Sequence, residues 1–230
     1  MSILRRINDR NPRIMKQILF TLLSLTLTAF SSIAQEEGNS LHFDGVDDYV
    51  DCQLPNVFTD IGSNEFTVEL WVNQETSQFC RLFFAQDDAD NFMSISLTNT
   101  NEIVLYLTAN TVNHSVQSTD LIVNNEWAHI AVTWNPTSSE AKIYKDGSEV
   151  AYATGVYVSS TGNDNVLSLG SRTDGNQVFA GEMDEVSVWE VAKDECEIAF
   201  NRFFKRSGTE TGLETYYNFN HGVAAGNNTS

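Results

Sequence analysis

Phe66-Thr67-Val68-Glu69-Leu70-Trp71-Val72 decides the fold class. In an extended chain, successive side chains point to opposite faces, so Phe66, Val68, Leu70 and Val72 share one face that must be buried, while Thr67 and Glu69 point the other way. Runs of the same kind, β-branched or aromatic residues alternating with polar ones and closed by Gly, Asn, Asp or Ser, recur at 41–52, 81–85, 92–97, 102–108, 127–134, 141–145, 166–169 and 182–189. Strands at this spacing predict two packed antiparallel sheets, an all-β sandwich. Asp146-Gly147 supplies the positive φ angles of a two-residue hairpin turn. One helical stretch interrupts at 193–204, where Cys196, Ala199, Phe200 and Phe203 fall at helical spacing and are expected to cover one end of the sandwich.

Around this body the 230 residues organise simply. Residues 16–34 have the form of an export signal: a basic start, an apolar stretch from Ile18 to Phe30, then Ser32-Ile33-Ala34 before Gln35. Met15 is the better translation start, and the apolar run is too short to span a membrane. The reading is a signal peptide over 1–34, a short linker over 35–39, one domain over 40–220 and a linker-like Gly/Asn/Ala tail over 221–230. It predicts a secreted or cell-surface protein with no membrane insertion after cleavage. A continuation of the chain as part of a larger surface protein fits the tail.

After Ala34 the body holds eight basic against thirty acidic residues, a net charge of −22. Such a surface repels nucleic acid and anionic lipid and attracts divalent cations. Cys52, Cys80 and Cys196 would allow one disulfide outside the cell, and their spacing is not that of a zinc or redox site. No Gly-x-Ser-x-Gly elbow, His-Glu-x-x-His or phosphate loop occurs, and His42, His114, His129 and His221 are scattered.

Five segments in order resemble the laminin-G-like, concanavalin A-like lectin jelly-roll superfamily, which includes pentraxins. They are 41–50 (LHFDGVDDYV), 66–72, 126–134 (EWAHIAVTW) with Lys145-Asp146-Gly147, 169–172 (LGSR) and 179–189 (FAGEMDEVSVW). The resemblance covers most of 40–220 and implies a two-sheet jelly roll. The pentraxin disulfide is absent, because Glu69 and Ala131 stand at its cysteine positions.

Two calcium positions follow from the resemblance, since calcium takes six to eight hard oxygen ligands. Asp44 in the opening strand and Asp184 in the closing strand would staple the chain ends. The loop containing Asp88, Asp90 and Asn91 would act with Asp174 in the loop 173–176. Related glucanases carry Glu-x-Asp-x-x-Glu on one strand; here Glu182-Met183-Asp184-Glu185-Val186-Ser187 puts Ser187 in the last acidic position, so no catalysis is expected. A glycoside hydrolase and a structural spacer remain the alternatives. A sugar needs aromatic faces beside polar groups, and Tyr106, Tyr152, Tyr157, Phe179 and Asn176 have that setting. The expectation is therefore a calcium-assisted binding module for glycan or an extracellular protein, serving adhesion.

Overall fold

A computed structural model describes residues 39–52, 64–88, 91–109, 112–156 and 166–220, with the side chains of Asp87 and Asp88 excepted; all lie within one unit, Gly38–Ser230. The segment expected to be an export signal, the tail, Asp90 and Tyr157 fall outside the described residues. In chain order the elements are β1 (Leu41–Asp44), β2 (Val50–Asp51), β3 (Phe66–Gln74), β4 (Cys80–Asp88), β5 (Asn91–Leu97), β6 (Glu102–Ala109), β7 (Val112–Leu121), β8 (Trp127–Asn135), β9 (Glu140–Lys145), β10 (Ser148–Thr154), β11 (Val166–Leu169), β12 (Ala180–Trp189), helix α1 (Glu195–Asn201) and β13 (Leu213–Tyr217).

They form two antiparallel sheets. Sheet I runs β1-β12-β3-β8-β9-β10, with β13 also on β12, and sheet II runs β2-β11-β4-β5-β6-β7. The alternation of β3 is realised as expected: Val68, Leu70 and Val72 are fully buried between the sheets, in one core with Leu82, Ile95 and Leu105. At roughly 25 cal/mol per Å2, each such side chain contributes about 1.5–3 kcal/mol when removed from water. The predicted hairpin turn is present, with φ of 52° at Asp146 and 85° at Gly147.

The helix departs from expectation. It does not close an end of the sandwich; it lies on the outer face of sheet I, where Ile198 packs on Ala131 and Tyr144. Ile198 is its only buried residue, while Cys196 is exposed and Phe200 is 66% exposed. A capping box between Asp194 and Glu197 starts the helix and explains why it begins two residues after Lys193. It sits against Gly147, where a Cβ would come within 2.8 Å of Ala199 Cα. No disulfide forms among the described residues: Cys52, Cys80 and Cys196 are all free. No helix among the described residues is long and apolar enough to cross a membrane.

Candidate functional site

The outer face of sheet II is built from the positions that alternation turns away from the core. A bulge in β4 between Arg81 and Phe83 keeps Leu82 in the core and turns both Arg81 and Phe84 outward. Opposite them stand Ser96 and Ser94 of β5, and Ser94 in turn faces Tyr106 of β6. The Arg81 guanidinium lies among three rings, with centroids at 4.9 Å (Tyr106), 5.2 Å (Phe79) and 5.8 Å (Phe92). Its Nη1 donates to the Ser94 and Ser96 hydroxyls, and its Nε donates to Gln177 Oε1 at 2.8 Å.

Arg81 is only 7% exposed, yet no carboxylate pairs with it among the described residues. Burial lowers its pKa to about 10, with Tyr106 opposing the shift and Arg172 adding to it, so it stays a cation at neutral pH. Arg172 reaches the same face from the loop after β11, its guanidinium 5.6 Å from the Phe84 ring. Phe84 and Phe92 are themselves 5.7 Å apart. Half-exposed Phe79, Phe92, Tyr106 and Gln177 rim the cradle, leaving ring surface and polar groups open to a ligand.

At one end of the sandwich, the turn after β1 gathers three acids. Ligand oxygens of Asp44, Asp47 and Asp48 all lie within 4.8 Å of one another. The Asp44 N–H donates to Asp48 Oδ2 and the Val46 N–H to Asp44 Oδ1, which uses two of the six carboxylate oxygens. Hard oxygens of this kind are the donors that divalent cations such as calcium take. The expected staple of Asp44 with Asp184 does not form. The register sets Asp44 against Ala180, so Asp184 lies four residues farther along, about 13 Å at the rise of a strand.

Asp184 is 4% exposed on the outer face of sheet I, and burial raises its pKa to about 7, against the Glu185 N–H that it accepts. Glu182 shares that face, its oxygens accepting from Ser40 and Asn73. Farther along the same face, Glu69 is sealed beneath the segment that follows β12. Lys193 Nζ is 2.6 Å away, and His129 Nε2 and Arg206 Nη2 are each 3.4 Å away. Burial would raise its pKa, but the His129 hydrogen bond and the charges of His129, Lys193 and Arg206 overcome this and hold it at about 2. Lys193 and Arg206 also lie over Trp189, beside a cleft of about 260 Å3.

The other expected ligands separate. Asn91 opens β5, opposite Asp88 at the far end of β4, whereas the loop bearing Asp174 leaves β11 and returns past Arg81, whose N–H donates to Gln177 O. Asp174 is already engaged by the Asn176 N–H and by Arg172 at 3.7 Å. Phe179 is wholly buried, edge-on to Phe43 at 5.7 Å, and offers no surface to a sugar. Tyr152 is 64% exposed but stands on β10, at the edge of sheet I. Of the aromatic candidates among the described residues, Tyr106 alone joins the cradle. Arg81, Phe79, Phe92 and Gln177 were not singled out in the sequence. The signal available was a single arginine within the otherwise apolar run 80–85.

A laminin-G family model described as the Concanavalin A-like lectin/glucanases superfamily matches residues 44–199. The chain belongs to this superfamily. No curated protein matches the chain. Among solved structures, this superfamily member is similar to a Bacteroides ovatus protein described as a candidate carbohydrate binding protein (19% identity, TM-score 0.59, 80% of this chain and 51% of that one). It thus spans about half of that protein's length. It is also similar to a heptameric SAP-like pentraxin from Limulus polyphemus (16%, 0.55, 74% and 83%). A third likeness is to the Ruminococcus gnavus IT-sialidase CBM40 bound to α2,3-sialyllactose (11%, 0.57, 76% and 100%). At these identities the likenesses establish the concanavalin A-like fold.

Proposed function

We propose that the protein is an exported, non-catalytic module that binds glycan at the cell surface, with its sugar site on the outer face of sheet II. The observation that carries this reading is the Arg81 cradle: ring faces, hydroxyls and an amide converge around a held cation on an otherwise acidic molecule. Rings offer flat apolar surface to the C–H face of a sugar, and the polar groups fix its hydroxyls. Similarity to one protein described as carbohydrate binding and to another bound to α2,3-sialyllactose supports the same reading. Hydrolysis is disfavoured because Asp184 is buried, Glu182 is tied to Ser40 and Asn73, and the third acidic position is Ser187. Calcium enters the proposal at Asp44, Asp47 and Asp48, where it would brace the turn after β1; adhesion is the role such a module would serve.

A glycan array probed with residues 35–230, with calcium and with chelator, tests the reading. Tyr106→Ala should weaken every positive signal at least tenfold without a matching loss of melting temperature. Full binding by this variant would move the site off sheet II, and silence of the wild-type protein under both conditions would refute glycan binding. Calorimetric titration of chelator-treated protein should show calcium uptake with a raised melting temperature, lost in Asp47→Asn. An unchanged melting curve removes the metal.

A further inference from the structure

Resting on that glycan reading, we propose that the sugar carries one carboxyl group, received by Arg81 and Arg172 together. Two guanidinium groups stand on adjacent rings, Arg172 over Phe84 and Arg81 over Phe92. Arg172 repels the Arg81 cation, a cost that an anion received by both would relieve. The body has thirty acids to supply one, yet Arg81 is paired with none among the described residues. Among the described residues the single acid that meets Arg172 is Asp174, about half exposed and 3.7 Å away, a contact of the kind worth little in water. Arg172 Nε is buried without a hydrogen-bond partner. Arg81 Nη2 is left over once Nε and Nη1 have met Gln177, Ser94 and Ser96. Guanidinium presents paired N–H groups in the fork that a planar carboxylate accepts.

The overall charge limits the ligand further. A polyanion would meet the repulsion of the whole acidic surface. A single carboxylate seated at the arginines is screened from acids more than about 8 Å away at physiological salt. The ligand class is therefore a glycan ending in one acidic sugar, a terminal uronic or nonulosonic acid, rather than a sulfated or polyuronic chain.

The experiment is titration of residues 35–230 with a panel of acid-terminated oligosaccharides, α2,3-sialyllactose and glucuronosyl disaccharides among them. Each is paired with its carboxyl-reduced counterpart, and a sulfated analogue completes each set. The proposal expects an acid form to bind at least tenfold more tightly than its reduced partner. Arg172→Gln, at a partly exposed position, should erase that preference while leaving melting unchanged; Arg81→Lys should do the same if it folds. Equal affinity for acid and reduced forms would overturn the carboxylate while leaving glycan binding intact. A preference for the sulfated analogue would also overturn it. Binding to no member of any set would overturn both readings.

Discussion

Glu69 shows how a residue read as outward-facing can be among the most buried. Alternation does turn it away from the core, but the segment after β12 folds back over it and brings Lys193 and Arg206 as counter-charges. Removing the carboxylate strands buried Lys193 and partly buried Arg206, so Glu69→Gln is expected to cost about 3 kcal/mol in urea unfolding. The pH dependence has a definite sign. The folded pKa of about 2 lies below the ordinary value of 4.5, so this contribution is fully present above pH 4.5 and is lost as pH falls toward 2. Wild type and variant should therefore converge in stability across that window. At this scale the sequence was partly legible. Tyr106 could be singled out because it is an aromatic beside polar neighbours, but the role of Arg81 could not, because Phe79, Phe92 and Gln177 reach it from other segments. The burial of Phe179 depends on packing across the sandwich against Phe43, which local pattern does not carry.

Most elements were legible because each sheet turns one face to the apolar core, which sets a period of two in residue type even where the outer face is also covered. Those missed are β7, β10 and β13. In β7 only Val116 and Ser118 are buried over ten residues, and it forms the edge of sheet II, so its pattern is nearly all polar. The helix was found, but its face was misassigned: a seven-residue helix with one buried side chain gives periodicity little to register. Its position depends on the β9–β10 turn. Gly147→Val would force a β-branched residue to φ of 85° and drive its Cβ into Ala199, with a combined cost of about 2 kcal/mol. Hydrogen exchange should show α1 amides opening while β3 and β8 stay protected. Gly155→Val is the control, since φ is 69° there but nothing lies within 4 Å; it should carry the backbone strain alone and leave α1 protected. Equal exchange in the two variants would mean that the turn does not seat the helix.

For the whole molecule, charge and fold act against each other. Among the described residues burial removes two bases, Arg81 and Lys193, and two acids, Glu69 and Asp184, so the solvent still meets the strongly acidic surface that the net charge of −22 conveys. Self-repulsion of this kind weakens as salt shortens the Debye length from about 30 Å at 0.01 M to about 8 Å at 0.15 M. Melting temperature should rise by several degrees over that range of sodium chloride in the presence of chelator. A flat profile would mean that the acids are already balanced locally. Composition made this property fully legible, whereas the faces carrying arginine, acid turn and helix emerged only once both sheets were assembled.

Cys196 stands exposed on α1, against the outer face of sheet I, and Arg81 looks out from sheet II on the opposite side. Burial pushes the other two thiols up, to about 12 at Cys80 and about 11 at Cys52, and so keeps them poor nucleophiles. A maleimide-bearing sensor chip would therefore capture the native molecule through one sulfur and in one orientation, presenting the arginine-lined side to the flowing analyte.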